Sequence, residues 1–218
     1  QPSKFYSARR LAAGIGYIAL AHLDSVVLAT PGQATRQEYA TGEGAEQAEK
    51  SSALRAPNSA LRGRAEAGTL FRSLQDLKAG HAAPFDNTLL EWSTGRDAAK
   101  PGRLAVVISD LLLDEYKDGL RRLVGAGFQV TLMHILSPEE LQPPLEGELE
   151  MIDSETGEKL EVHIGNESMA EYRRRLHAWL NETEEWCKAN GAGYLLIESD
   201  WDIERVILET LRRRGVTA

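Results

Sequence analysis

The segment 103–110, Arg-Leu-Ala-Val-Val-Ile-Ser-Asp, constrains the fold more than any other part of the chain. It is a continuous apolar run that ends in polar residues, which is typical of a strand buried on both faces in a helix-covered parallel sheet. Helical and strand-like patterns alternate after it, with a helix over 115–125, a strand over 128–136, a helix over 169–189, a strand over 194–198 and a helix over 202–214. The alternation predicts an α/β fold, a mostly parallel, Rossmann-like sheet flanked by helices.

The other segments add a hairpin, an N-terminal helix and an irregular stretch to this core. Two strand-like runs on either side of Ser-Glu-Thr-Gly predict a β-hairpin inserted near 147–164. Apolar residues recur at helical spacing over 4–22, and Ser3 is the expected N-cap. Residues 41–64 have little that builds a core, so we expect an irregular insertion there, within one domain spanning 1–218. Shorter patterns predict a strand over 25–29 and helices over 66–79 and 87–92.

Charge and composition narrow the classes of function. The formal net charge is -8, which repels phosphate backbones and disfavours nucleic-acid binding. The one basic cluster, Arg212 to Arg214, ends the last predicted helix, where cations complement the helix dipole. A single cysteine excludes an internal disulfide and favours a reducing, cytoplasmic location. No apolar run reaches the ~18 residues of a membrane span.

The sequence has no motif that groups the residue types needed for catalysis. The glycines of Gly14-Ile-Gly16 lie within a predicted helix and not after a strand, so we expect no nucleotide cofactor. Cys187 lies on an apolar helical stripe, which predicts a core residue and not a nucleophile. His134 lies within an apolar strand and is expected to be a hydrogen-bonded core histidine, and the histidines show no metal-ligand spacing.

Asp110 is the one candidate site residue that position alone suggests. It follows the most apolar strand, and ligands of open α/β sheets bind at the carboxyl ends of strands. A carboxylate held there suits a hard cation such as Mg²⁺, which prefers oxygen ligands. The alternative is that Asp110 caps the following helix or turns the chain, and spacing leaves both open.

Four segments, in their order along the chain, resemble a group of von Willebrand factor A-like bacterial proteins that carry a domain of unknown function, number 58. They are Pro2 to Ala13, Val106 to Leu112, Gly147 to Glu158, and the helix from Tyr172 to Gly191. Proteins of this group are typically encoded beside MoxR-type AAA+ ATPases. The resemblance implies a von Willebrand factor A-like fold whose first strand and first metal loop would precede Gln1. Because such a gap exposes strand edges, we expect another segment or chain to fill it.

The resemblance also implies a metal-ion-dependent adhesion site (MIDAS) that holds Mg²⁺ or Mn²⁺. Asp110 matches the aspartate of its third loop. The second loop matches Ala83-Pro-Phe-Asp-Asn-Thr88, in which Asp86 aligns with the family's aspartate. Phe85 stands where the family has threonine, and Thr88 substitutes for it only if the loop register differs. The implied metal ligands are therefore Asp110, Asp86 and Thr88.

These observations favour a protein-binding module over an enzyme. By resemblance, it works with a MoxR-type AAA+ ATPase in the assembly or maturation of client proteins. One alternative is a metal-independent structural scaffold, which Phe85 supports. Another is a metal-assisted hydrolase in which Asp110, Asp114 and Glu115 form an acidic site.

Overall fold

The computed structural model describes residues 3–30, 60–78, 103–112, 116–144, 147–152 and 159–207. Its helices are α1 (Lys4–Ala21), α2 (Ala67–Gln75), α3 (Tyr116–Gly125), α4 (Pro138–Leu141), α5 (Asn166–Ala189) and α6 (Ile203–Arg205), with a 3-10 turn at Arg64–Glu66. Its strands are β1 (Ser25–Val26), β2 (Leu61–Arg62), β3 (Leu104–Ser109), β4 (Gln129–Leu136), β5 (Gly147–Ile152), β6 (Lys159–Ile164) and β7 (Gly193–Glu198).

The centre of the fold is a three-stranded parallel sheet in the order β3-β4-β7. Leu104 pairs with Gln129 at the start of the β3–β4 ladder, and Leu136 pairs with Glu198 at the end of the β4–β7 ladder. The parallel sheet and its helices confirm the predicted α/β class. Within the described residues, β3 and β7 each pair on one side only, so the expectation that another segment or chain completes the sheet stays a prediction.

Helices cover both faces of this sheet because successive side chains of each strand point to opposite sides. Val130 and Leu132 of β4 pack towards the helices α3 and α5, in a cluster that includes Leu120 and Cys187. Met133 and Ile135 of the same strand point the opposite way and pack on the other face of the sheet. There they meet α1 and the end of the described chain, through Leu11, Ile203, Val206 and Ile207.

Helix α1 is buried on two sides, whereas the sequence predicts a single apolar stripe. Ser3 caps it by accepting a hydrogen bond from the Tyr6 amide, as predicted. The predicted stripe packs on the sheet through Leu11. Leu20, on another side of α1, packs into a second cluster with Leu70 of α2. Gly16 permits that approach, because a Cβ at Gly16 would lie 2.7 Å from Leu70 Cδ2. Residues of α1 outside the predicted stripe, such as Leu20, thus form a second packing surface against α2.

A small antiparallel sheet and a hairpin lie outside the central sheet. β1 pairs with β2 through Ser25–Arg62 and Val26–Leu61, so only two residues of the strand predicted over 25–29 form a ladder. The hairpin predicted near 147–164 is confirmed, since β5 and β6 pair antiparallel from Gly147–Ile164 to Ile152–Lys159.

Several predicted segments fall partly or wholly outside the described residues. The helix expected over 87–92 does so completely, and the insertion expected over 41–64 is described only from 60 onward, where β2 forms. The helix predicted over 202–214 begins at Ile203 after its N-cap Asp202, and its description ends at residue 207. Within the described ranges, none of the helices has the length and apolar character needed to cross a bilayer.

Candidate functional site

Polar side chains from three strand ends meet at the carboxyl edge of the parallel sheet. Asp110 follows β3, Ser137 and Glu140 follow β4, and Ser199 follows β7. The N-terminus of α1 lies across this edge, where the Ser7 hydroxyl donates a hydrogen bond to the Ser199 carbonyl. Because parallel strands end on the same side, residues far apart in the sequence become neighbours here.

One ammonium group lies between two carboxylates at the centre of this edge. Lys4 Nζ is 2.9 Å from Asp110 Oδ2 and 2.6 Å from Glu140 Oε1. Burial opposes the charge on Lys4, but the hydrogen bonds to Glu140 and Asp110 outweigh it and raise the pKa of Lys4 above its usual 10.5. Lys4 therefore stays protonated at neutral pH and neutralises part of the negative charge of the site.

The backbone around Asp110 is held in an unusual conformation. Leu111 has a φ of 55°, in the left-handed region that non-glycine residues rarely adopt. Its amide donates a 3.1 Å hydrogen bond to Ser109 Oγ, and its side chain is only 2% exposed in the core. Such strained residues persist only where the surroundings over-determine them, and they cluster at functional sites. The turn thus anchors Leu111 inward while Asp110 reaches Lys4.

His134 supports the same turn from inside the sheet. Its Nε2 is 3.1 Å from the Asp110 carbonyl and its Nδ1 is 2.9 Å from the Tyr194 hydroxyl. A carbonyl only accepts, so Nε2 carries the proton and donates, while Nδ1 accepts from Tyr194. Burial lowers the pKa of His134 from 6.5 to about 4, which keeps the ring neutral. The prediction of a hydrogen-bonded core histidine is confirmed.

Glu140 is oriented by three elements at once. Its Oε2 accepts a 2.7 Å hydrogen bond from the Ser137 amide, and the Ser137 hydroxyl accepts from the Glu140 amide, which completes a capping box on α4. Its carbonyl accepts a 2.6 Å hydrogen bond from the hydroxyl of Tyr172 on α5. The remaining carboxylate oxygen is the one that binds Lys4. A side chain fixed in this way presents its charge in one direction.

A concave region adjoins the strand ends. It has a volume of about 320 Å³ and is lined by residues of and after α4, namely Pro138, Glu139, Leu141, Gln142 and Pro144, together with Glu198. Its walls combine apolar side chains with two carboxylates. Lys4, Asp110 and Glu140 do not line this region, although Glu139 and Leu141 flank Glu140 in the sequence.

Of the three implied metal ligands, one lies within the described residues. Asp110 lies at the strand end where it was expected. Asp86 and Thr88, the other two implied metal ligands, lie outside the described residues, as do Phe85 and the pair Asp114 and Glu115 of the hydrolase alternative. In the part of the chain that the structure describes, there is no group of three or more His, Cys, Asp and Glu arranged to hold a metal ion.

Sequence reasoning did not identify Lys4 and Glu140 as site residues. The pattern Ser137-x-x-Glu140 is a recognisable capping box and could have placed Glu140 at a helix start. Nothing in the sequence links Lys4 to Asp110, because that contact arises only when α1 packs across the sheet. Cys187 is fully buried, and burial together with Glu184 raises its pKa to about 11, so its predicted core role is confirmed.

Comparison with known proteins gives one match. A family model described as "Protein of unknown function DUF58" matches residues 44–184, more than half of the chain. The matched stretch includes Asp110, His134 and Glu140, and it excludes Lys4. No curated protein and no solved structure matches the chain.

The buried, neutral His134 predicts a loss of stability at acid pH. In the unfolded chain His134 binds a proton near pH 6.5, whereas in the folded chain it stays neutral until about pH 4. As the pH falls through this window the unfolded state gains protons first, so the free energy of unfolding should decrease, by about 3 kcal/mol in total. Urea unfolding of wild type and His134→Gln from neutral pH to pH 4 measures this.

The exposed His177→Gln variant is the control for this comparison. It should follow the wild-type profile, whereas His134→Gln should lose less stability over the same window. Parallel profiles of wild type and His134→Gln would contradict the assignment.

Proposed function

The chain belongs to the DUF58 family, whose function is unknown, and we propose that it is a protein–protein interaction module that binds its partner at the carboxyl edge of the sheet, around Asp110. The observation behind the proposal is that Lys4, Asp110 and Glu140, from three separate elements, form one half-buried charged cluster at that edge. Ligands of parallel α/β sheets bind there.

The likeness to von Willebrand factor A domains belongs to this proposal. It is supported by the parallel sheet with helices on both faces and by an aspartate directly after the apolar strand β3, which pairs with the central strand β4. By the same resemblance, we infer that the partner is a MoxR-type AAA+ ATPase together with its client proteins, in the cytoplasm. Charged groups at the edge of an interface steer association and select partners more than they add affinity.

Binding of a divalent metal ion at this site is proposed separately from partner binding. Asp110 and Glu140 converge on one cation position, which suits Mg²⁺ or Mn²⁺ in charge and ligand type. In the structure the ammonium of Lys4 fills that position, so the two carboxylates fit a metal only when Lys4 moves aside. We therefore propose that Lys4 and a divalent ion compete for Asp110. When bound, the ion would supply a Lewis-acidic point of attachment for a partner carboxylate.

The metal-independent scaffold remains the second candidate function. The observation that favours it is the same ion pair, because Lys4 already satisfies both carboxylates without a metal. In that case the edge would bind its partner through charge and shape alone. Competition between Lys4 and a metal distinguishes the two candidates.

Removing Lys4 should strengthen metal binding. We expect MgCl₂ or MnCl₂, compared with EDTA, to raise the thermal midpoint of Lys4→Met more than that of wild type, because the competing ammonium is gone. A metal at about a hundred times its dissociation constant stabilises the fold by about 2.7 kcal/mol. Differential scanning calorimetry measures the shift.

Two variants control for this effect. Asp110→Ala should show no metal-dependent shift, and Lys117→Met removes a lysine that pairs with Glu182 elsewhere and should behave as wild type. If Lys4→Met and Lys117→Met respond to metal equally, or if neither responds, the competition is wrong and the metal-independent scaffold is favoured.

The partner hypothesis is tested by capture of a purified MoxR-type ATPase. We expect the immobilised chain to retain the ATPase in at least one of the ATP-analogue, ADP and nucleotide-free states, and Asp110→Ala to retain about tenfold less. Asp118→Ala removes an aspartate that pairs with Arg121 on α3 and is the matched control. Retention that is absent in all three states, or unchanged in Asp110→Ala, would show that the proposed surface or partner is wrong.

A further inference from the structure

Helices α1 and α2 share an outer surface of exposed aromatic and arginine side chains, which we call the α1–α2 face. In α1 the exposed residues are Tyr6, Arg10 and Tyr17, and their spacing places them on one stripe of the helix. In α2, Phe71 and Arg72 are exposed on the adjoining helix. These five residues define the face. It is distinct from the site at the strand ends, where α1 contributes Lys4.

Three aromatic side chains of the α1–α2 face are exposed to solvent. Tyr6, Tyr17 and Phe71 are 45%, 43% and 40% exposed. The rings of Tyr17 and Phe71 stack across the two helices, with centroids 6.2 Å apart and planes inclined at 29°. Exposed apolar side chains that pack together in this way mark interaction sites, and tyrosine and arginine are enriched among the residues that dominate binding energy.

The charge of this part of the chain is opposite to that of the whole. Apart from Lys4, which pairs with Asp110 and Glu140, residues 3–30 and 60–78 contain six Lys and Arg but three Asp and Glu, while the whole chain has a net charge of -8. Helices α1 and α2 contain no acidic residue at all. A local positive field on an acidic protein attracts negatively charged groups.

The two arginines of the face are held by different contacts. The guanidinium of Arg10 lies 5.7 Å from the Tyr6 ring centroid. Arg72 Nε donates a 3.2 Å hydrogen bond to the Gly68 carbonyl, one turn earlier on α2. Within the described residues neither arginine forms an ion pair. Their positive charges are therefore not neutralised by any described neighbour.

We propose that the α1–α2 face is a docking surface for an acidic segment of a partner protein that has aromatic or aliphatic residues between its carboxylates. Apolar side chains of the segment would pack on Tyr17 and Phe71, and its carboxylates would bind Arg10 and Arg72. A protein segment supplies both carboxylates for the arginines and apolar side chains for the stacked Tyr17 and Phe71 rings. The net charge of -8 disfavours nucleic acid more strongly, because every nucleotide brings a phosphate charge. Together with the strand-end site, the chain would hold two partners at once.

The test uses two blocked peptides as probes, Glu-Phe-Glu-Leu-Glu and its uncharged counterpart Gln-Phe-Gln-Leu-Gln. Titration of the ¹⁵N-labelled chain should shift the amides of α1 and α2 with the acidic peptide, and the glutamine peptide should bind about tenfold more weakly. Arg10→Glu and Arg72→Glu should each weaken the acidic peptide by about three- to tenfold. The apolar contact is tested independently by Tyr17→Ser, which should weaken both peptides.

The matched control is Arg173→Glu, the same charge reversal on the exposed part of α5, across the sheet. It should bind the acidic peptide as wild type does, and so should Asp110→Ala, which separates this face from the strand-end site. Equal binding of both peptides, or binding that Arg10→Glu and Arg173→Glu weaken equally, would overturn the proposal. Larger shifts of the same amides with single-stranded DNA or phosphatidylserine vesicles would overturn the choice of a protein partner. Self-association that Arg10→Glu abolishes would assign the face to a second copy of the chain.

Discussion

The contact of Lys4 with Asp110 and Glu140 is the interaction on which the functional edge depends. It joins the first turn of α1 to the end of β3 and to α4, three elements separated by 106 and 136 residues in the chain. Two carboxylates next to each other repel, and an ammonium between them removes that repulsion. The side chains are 27–37% exposed, so the pairs contribute little to stability, and their consequence is geometric. They set the charge that a partner or a metal ion meets.

Helix α1 also connects the two surfaces that we assign to binding. One side of it packs on the sheet through Leu11, and another packs on α2, where Gly16 lets Leu70 approach. What remains exposed is the stripe with Tyr6, Arg10 and Tyr17. A single rigid helix thus fixes the position of the strand-end site relative to the α1–α2 face. Such an arrangement suits an adaptor that holds one partner at each surface.

Much of the fold could be predicted from the sequence because burial leaves periodic patterns. The apolar run of β3 predicts a parallel strand buried on both faces. The β3–β4 ladder confirms the parallel strand, but Val107 is the one buried residue of β3, and β4 is the strand that is buried along its length. The core positions of His134 and Cys187 follow from the elements that contain them. Asp110 was placed at the strand end by the same reasoning. Contacts between elements that are far apart in the sequence leave no such local pattern. The Lys4 contacts and the second packing side of α1 were therefore not predicted. Asp86 and Thr88 rest on the resemblance alone and lie outside the described residues.

We expect Lys4 and Asp110 to form one energetically coupled unit at the carboxyl edge of the sheet. A double-mutant cycle with Lys4→Met, Asp110→Asn and the double variant, measured by urea unfolding at neutral pH, tests this directly. The expected coupling energy is about 0.5–1 kcal/mol, in the range of partly exposed ion pairs. Asp110→Asn alone should also lower the pKa of Lys4. Additive effects of the two substitutions, with an unchanged pKa of Lys4, would contradict this coupling.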